Sequence, residues 1–165
     1  MKVLYPGTFD PPTKGHLNIM ERASALFDEV VIAIGIDPEK QAVFSNEARL
    51  EFLKALTKNL PNVRVASFDG LVINFAKECG AHALLRSVRT FDDYEREKTF
   101  AQMNQKMSEI ETLFLFPDDP YQSLSSSLIR EIGAKGESVT PFIPEPIASA
   151  VAEKLREGPQ SDHSQ

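Results

Sequence analysis

The chain has 165 residues, a single cysteine and a formal net charge of −6. This length suits one domain and is too short for a catalytic domain joined to a tRNA-reading domain, which argues against a synthetase. The acidic balance argues against binding of nucleic acid through overall charge, so we expect a small-molecule partner. Without a signal-like N-terminus or about 18 consecutive apolar residues, the sequence predicts a cytoplasmic protein that does not enter a membrane.

The chain alternates predicted strands with predicted helices. Apolar, β-branched runs predict strands over 2–5, 30–36, 63–67, 83–86 and 112–116, and Pro6 and Gly7 are expected to end the first strand. Helical periodicity and capping residues predict helices from about 16 to 27 and over 45–60, 71–79, 92–107, 125–134 and 146–157. Residues 1–157 are therefore expected to form one domain, and the polar tail 158–165 is expected to be disordered.

This alternation predicts an α/β fold, with a five-stranded parallel sheet covered by helices on both faces in a doubly wound arrangement. Ligands of such sheets bind beyond the carboxyl ends of the strands. Candidate residues follow four of the predicted strands: Thr8 and His16, then Lys40, then Arg86 and Arg89, then Ser125, Ser126 and Ser127. We expect these four segments to converge on one crevice.

The segment between the first strand and the first helix carries the strongest chemical signal. Gly7 and Gly15 permit close approach of a ligand to the backbone, and the unpaired N–H groups at a helix start attract anions. The imidazole of His16 could hydrogen-bond a phosphate oxygen and stabilise charge at a reacting phosphorus. Taken alone, His16 could equally be a helix-capping or surface residue.

The other candidates also have simpler interpretations. Lys40 could be a solvated loop residue, and Arg86 and Arg89 could form surface salt bridges rather than a phosphate clamp. The serines 125–127 could only cap a helix. The charge run 92–98 predicts that Glu97 lies on a solvated helix face.

No protein metal ligand is predicted. Cys79 is the only cysteine, which excludes an intrachain disulfide and a cysteine metal cage, and we expect it to pack near a helix end. The histidines lack ligand spacing. Asp10 and the pairs 92–93 and 118–119 could touch magnesium, but the metal could also be carried by phosphates.

Several motifs together resemble one known enzyme family. The chain contains Gly-Thr-Phe-Asp-Pro from residue 7, Thr-x-Gly-His from 13, Arg-x-x-Arg from 86, Asp-Tyr-Glu-Arg-Glu from 93, Met-Asn at 103, and Ser-Ser-Ser-x-x-Arg from 125. In order and spacing these resemble the bacterial phosphopantetheine adenylyltransferases, Rossmann-like members of the (H/T)-x-G-H nucleotidyltransferase superfamily. The similarity runs from about residue 2 to residue 155, and the combination is more specific than Thr-x-Gly-His alone.

The resemblance implies transfer of AMP from ATP to 4′-phosphopantetheine, giving dephospho-coenzyme A and pyrophosphate, with Mg²⁺ accompanying ATP. His16 is the implied transition-state stabiliser of an in-line attack that needs no protein nucleophile. The implied phosphopantetheine contacts are Thr8, Lys40, Val72 and Arg86. The implied ATP contacts are Thr8, Phe9, His16, Ser87, Val88, Arg89, Glu97, Tyr121, Gln122, Ser123, Leu124, Ser125, Ser126 and Ser127. A homohexamer of two trimers and feedback inhibition by coenzyme A are also implied.

The chain departs from this family pattern in three places. Ser87-Val88-Arg89 replaces the common Gly-Leu-Arg, Gln41 replaces a second lysine, and residues 94–97 read Tyr-Glu-Arg-Glu instead of Phe-Glu-Tyr-Glu. These departures could shift substrate affinity while the reaction stays the same. Three alternatives stay open: adenylylation of nicotinate mononucleotide, transfer of CMP to a phosphorylated alcohol, and a nucleotide sensor without catalysis.

Overall fold

The computed structural model describes residues 1–157, and the predicted tail 158–165 lies outside the described residues. Five strands form one parallel sheet: β1 (Lys2–Gly7), β2 (Glu29–Ile36), β3 (Val63–Asp69), β4 (Ala83–Ser87) and β5 (Glu111–Leu115). Their spatial order is β3-β2-β1-β4-β5. The six helices are α1 (Lys14–Leu26), α2 (Asn46–Thr57), α3 (Val72–Glu78), α4 (Phe91–Ser108), α5 (Ser126–Ala134) and α6 (Glu145–Glu157). The predicted α/β sheet with helices on both faces is confirmed.

The sheet is buried because its inner strands are apolar on both faces. Val3 and Tyr5 of β1 point into one layer of the core with Met20 of α1, whereas Leu4 points into the other layer with Ala76 of α3. Strand β2, which the sequence predicts as a continuous apolar run, is buried from Val30 to Ile34. Apolar residues of α2, α5 and α6 form a further cluster beside the first layer.

Four helices begin at hydroxyl residues that bond to the backbone three positions later. The capping residues are Thr13, Ser45, Thr90 and Ser125, which accept hydrogen bonds from the N–H groups of His16, Ala48, Asp93 and Leu128. Such caps satisfy donors that the helix itself leaves unpaired. The helix starts predicted from Ser45 and Ser125 are confirmed.

The first strand is longer than predicted. Pro6 and Gly7 were expected to end it, but they pair in register with Ala33 and Ile34 of β2. On its other side, β1 pairs with β4 only as far as Leu4. Proline is tolerated here because no β4 residue needs its missing N–H.

Strand order reverses at β1. The chain leaves β1 for β2 and β3 on one side and then returns to place β4 and β5 on the other side. The segments that follow β1 and β4 therefore diverge at a switch point, where a crevice opens beyond the strand ends. No helix within residues 1–157 has the length and apolar character needed to cross a membrane.

Candidate active site

A cleft of about 240 Å³ opens at this switch point, and three segments build it. The β1–α1 turn, the beginning of α4 with the end of β4, and the segment leading into α5 all contribute. The predicted site residues that line the cleft are Thr8, Phe9, His16, Arg86, Ser87, Arg89, Glu97, Leu124, Ser125, Ser126 and Ser127. Three of the four segments that were expected to converge on one crevice thus meet at this cleft, and the segment of Lys40 does not line it.

The other predicted contacts do not line this cleft. They are Lys40, Val72, Val88, Tyr121, Gln122 and Ser123. Lys40 is exposed, with its Nζ 3.8 Å from an Asp37 carboxylate oxygen. Val72 packs on the apolar layer beneath α3, and Val88 is buried with its N–H donating to the carbonyl of Leu115. Their roles in substrate binding stay predictions.

His16 occupies the third position of α1 in a reciprocal cap with Thr13. The N–H of His16 donates to Thr13 Oγ1 at 3.3 Å, and the N–H of Thr13 donates to His16 Nδ1 at 3.0 Å. A glutamate or glutamine usually fills this position of a capping box. Here an imidazole does so, which fixes the ring at the helix start.

The imidazole of His16 is neutral at physiological pH. Burial, with a smaller contribution from the positive charges of Arg89 and Arg86, lowers its pKa from 6.5 to about 4. Since Nδ1 accepts the Thr13 N–H, the neutral ring carries its proton on Nε2. His16 is therefore a fixed neutral hydrogen-bond donor at the cleft.

Phe9 supports the His16 ring from behind. Its ring makes edge-to-face contacts with Tyr5 at 5.4 Å and with His16 at 5.1 Å between centroids. Phe9 has a backbone φ of 48°, a value that residues other than glycine rarely adopt. The residue is only 1% exposed. A Cβ on Gly7 would lie 2.9 Å from the Phe9 ring, so this packing requires glycine at position 7.

Arg86 and Glu97 form a paired salt bridge on the wall of the cleft. Arg86 Nε and Nη2 donate to the two Glu97 carboxylate oxygens at 2.7 and 2.6 Å, and Nη1 donates to the Pro6 carbonyl at 2.8 Å. Burial alone would lower the pKa of Arg86, but the hydrogen bonds and charge of Glu97 outweigh it and raise that pKa. Two of the five guanidinium N–H bonds remain for a ligand.

This pairing corrects the prediction that Glu97 lies on a solvated helix face. Glu97 is buried, and it is the only buried residue of α4 within the described chain. The other charged residues of this run are exposed apart from the partly buried Asp93, but the Glu97 carboxylate turns inward because Arg86 provides a charged partner.

The beginnings of α1 and α5 lie close together at the cleft. Ser126 Oγ donates to the carbonyl of Pro11 at 2.8 Å. A Cβ on Gly15 would lie 3.4 Å from the carbonyl oxygen of Tyr121. Because the first N–H groups of each helix have no partner within the helix and carry partial positive charge, the two helix starts favour an anionic ligand.

Three residues that sequence reasoning did not place in the site hold the β1–α1 turn. Both Asp10 carboxylate oxygens accept backbone N–H groups, from Val43 and Phe44, each at 2.9 Å. Arg49 Nη1 donates to the Thr8 carbonyl at 2.9 Å, and Arg130 Nη1 donates to the Asp10 carbonyl at 2.6 Å. The Asp10 carboxylate is thus used for loop positioning rather than offered to a metal ion.

One signal in the sequence could have revealed Arg49. It precedes Leu53 by four positions and Leu56 by seven, so it lies on the apolar face of α2. A charged residue on such a face needs buried partners, and Arg49 is only 6% exposed. Its partners are carbonyl groups, which no local pattern identifies.

Comparisons with known proteins agree with this architecture. A family model described as cytidylyltransferase-like matches residues 4–132, which include the whole cleft and all five strands except the first two residues of β1. The crystal structure of the lipopolysaccharide core biosynthesis protein from Thermoplasma volcanium GSS1 is similar, with 19% sequence identity and a TM-score of 0.51. That likeness covers 72% of this chain and 96% of the other chain, and it supports the fold alone. The family match shows that this chain belongs to the cytidylyltransferase-like family and is a nucleotidyltransferase.

Proposed function

We propose that this nucleotidyltransferase transfers the adenylyl group of ATP to 4′-phosphopantetheine, giving dephospho-coenzyme A and pyrophosphate. The observation that carries the proposal is the neutral His16 donor at the start of α1, in a cleft that also contains Arg86, Arg89 and the start of α5. The motif combination around these residues supports this acceptor among those used in the family.

In this reaction, a phosphate oxygen of the acceptor attacks the α-phosphorus of ATP in line with the leaving pyrophosphate. The new bond joins the acceptor oxygen to the α-phosphorus, and the bond from the α-phosphorus to the bridging oxygen breaks. His16 Nε2–H would donate to a non-bridging oxygen as negative charge grows there. No protein nucleophile or general base is needed, because the attacking phosphate is already anionic.

Mg²⁺ is proposed to accompany ATP and to neutralise charge on its phosphates. Within residues 1–157, no three side chains of the His, Cys, Asp or Glu types are grouped to hold a metal ion. Substrate phosphates and water would therefore supply most of its ligands, as is common for magnesium at nucleotide sites.

On the acceptor side, Thr8, Lys40, Val72 and Arg86 are the proposed contacts. Thr8 and Arg86 line the cleft, whereas Lys40 and Val72 lie outside it. Val72 is the first residue of α3. Lys40 is three residues before Val43, which Asp10 holds to the β1–α1 turn.

We also propose the assembly and regulation that the family resemblance implies: a homohexamer of two trimers, inhibited by coenzyme A. Several large apolar side chains of α4 are exposed in the single chain, namely Phe91, Phe100, Met103 and Met107, at 74, 58, 52 and 51%. Exposed apolar surface of this kind favours subunit contacts. A monomer at micromolar concentration in equilibrium sedimentation would contradict the assembly proposal.

The decisive experiment measures magnesium-dependent pyrophosphate release, with dephospho-coenzyme A identified by mass. ATP is supplied with 4′-phosphopantetheine, nicotinate mononucleotide or glycerol 3-phosphate, and CTP is supplied with glycerol 3-phosphate in a parallel reaction. Release only with ATP and 4′-phosphopantetheine is expected. Release with another pair would mean that the same site acts on a different substrate. ATP binding without pyrophosphate release by any pair would favour a nucleotide sensor.

A further inference from the structure

Arg96 lines the cleft and is not among the substrate contacts that the family resemblance implies. It lies in the second turn of α4, and its side chain is 65% exposed. Among residues 1–157, its one ion-pair contact joins Nη2 to an Asp93 carboxylate oxygen at 3.3 Å. The other guanidiniums of the cleft are more fully engaged: Arg86 with Glu97 and Pro6, and Arg89 with Asp93 and Leu124. Arg96 thus offers the most free donors.

The charges that line the cleft leave a positive surplus beside Arg96. Three arginines (Arg86, Arg89, Arg96) and two carboxylates (Asp93, Glu97) line it, a difference of one positive charge with His16 neutral. Glu97 balances Arg86 in a paired salt bridge. The single Asp93 carboxylate is shared between Arg89 Nε at 3.5 Å and Arg96 Nη2 at 3.3 Å. The surplus therefore resides on the group formed by Arg89, Asp93 and Arg96.

This group lies beside the start of α5. Arg89 Nη1 donates to the carbonyl of Leu124 at 2.6 Å, and Leu124 directly precedes the capping residue Ser125. Two guanidiniums and a helix N-terminus consequently approach the same part of the cleft. Such an arrangement suits a ligand with several negative charges on neighbouring phosphates better than one with a single phosphate.

We propose that Arg96, positioned by Asp93, binds the β- and γ-phosphates of the nucleoside triphosphate and therefore also the pyrophosphate product. The inference rests on the proposed function only in taking a nucleoside triphosphate as substrate; it does not depend on the identity of the acceptor. Asp93 acts as a positioning residue, since it holds both guanidiniums at the cleft.

The test compares Arg96→Gln with the wild-type protein and with Lys106→Gln. Lys106 is an exposed cation of the same helix that does not line the cleft, so its variant makes the same change in net charge. Isothermal titration calorimetry with Mg²⁺ at low and high salt measures affinity for ATP, pyrophosphate, AMP and 4′-phosphopantetheine. We expect Arg96→Gln to bind ATP and pyrophosphate about five- to tenfold more weakly than the wild type at low salt, with a smaller difference at high salt. The affinity of Arg96→Gln for AMP and 4′-phosphopantetheine should change less than about twofold. The affinity of Lys106→Gln for each of the four ligands should also change less than about twofold.

Two results would overturn the inference. Unchanged affinity of Arg96→Gln for ATP and pyrophosphate would make Arg96 a solvated partner of Asp93 only. A loss confined to 4′-phosphopantetheine, or shared equally by AMP, would place the guanidinium at a different phosphate. The result is separable from the proposed function, because a wild-type protein that binds ATP but ignores 4′-phosphopantetheine would refute the acceptor and still decide the role of Arg96. A wild-type protein that binds neither ATP nor pyrophosphate would refute both.

Discussion

Thr13 and His16 bond to each other in both directions across the first turn of α1. The Thr13 N–H donates to His16 Nδ1 at 3.0 Å, and the His16 N–H donates to Thr13 Oγ1 at 3.3 Å. The same contact caps the helix and fixes the imidazole tautomer, so the Nε2 proton is left for a ligand. The structural role of His16 and its proposed catalytic role therefore reside in one side chain, and experiments on His16 must separate them.

The first prediction concerns the pH dependence of stability. The pKa of His16 is about 4 in the folded chain, whereas an ordinary histidine, as in the unfolded chain, has a pKa of 6.5. The unfolded chain therefore binds the proton more tightly than the folded chain. This contribution to stability is fully present above pH 6.5 and is lost as the pH falls from 6.5 to 4. Urea unfolding of His16→Gln should show a smaller loss over this interval, because glutamine retains the cap without titrating.

NMR titration of the His16 ring checks the same prediction directly, and its midpoint is expected near pH 4. A midpoint near 6.5 would contradict the burial argument.

The second prediction concerns catalysis. His16→Ala should lower turnover by roughly 10² to 10³, with modest change in the KM values, as expected for the loss of one transition-state donor. His16→Gln retains the capping pattern and keeps an amide N–H donor, so it should lose less turnover than His16→Ala while remaining nearly as stable as wild type at pH 7. Steady-state pyrophosphate release by both variants measures this. Unchanged turnover in His16→Ala would remove the His16 Nε2–H donor from the mechanism.

The fold was largely predictable because its signals are local. The apolar run 30–36, the capping serines 45 and 125, and the alternation of strands with helices each act within a few residues. The order β3-β2-β1-β4-β5 was not predictable in this way, since it depends on contacts between segments far apart in the chain. The prediction that Pro6 ends β1 is wrong for the same reason. Whether a proline can extend a strand depends on whether the neighbouring strand pairs with the N–H that proline lacks.

The site was only partly predictable. The signature residues Thr8, His16, Arg86 and Arg89 do meet at the cleft, because their segments follow strands whose carboxyl ends share one edge. Glu97 belongs to a local pattern typical of a solvated helix, and its burial depends on Arg86, eleven positions earlier on a different element. Local sequence cannot show such a pairing. It also cannot show that Lys40 does not line the cleft.

The third prediction tests the pairing of Glu97 with Arg86. Glu97→Gln removes a buried charge and leaves the Arg86 guanidinium without its counter-ion, which should destabilise the fold by about 2 kcal/mol. This value is below that of a fully buried pair because the Arg86 side chain is 31% exposed. Glu95→Gln is the matched control: Glu95 is half exposed on the same helix, so less than about 0.5 kcal/mol is expected. Equal effects of the two substitutions in urea unfolding would refute a special role for the pair.

The fourth prediction concerns the connection between the β1–α1 turn and the segment that follows β2. Asp10→Asn should destabilise the fold by about 1–3 kcal/mol, because the carboxylate accepts two backbone N–H groups and an asparagine must turn its NH₂ towards one of them. Asp119→Asn, at an exposed position, serves as the control and should change stability little. Since Asp10 holds the turn that carries Thr8 and Phe9, turnover of the folded Asn variant should also fall, and the Val43 and Phe44 amides should exchange their hydrogens faster than in the wild type. Normal amide protection in Asp10→Asn would mean that other contacts of the turn, such as Arg49 to the Thr8 carbonyl, suffice to hold it.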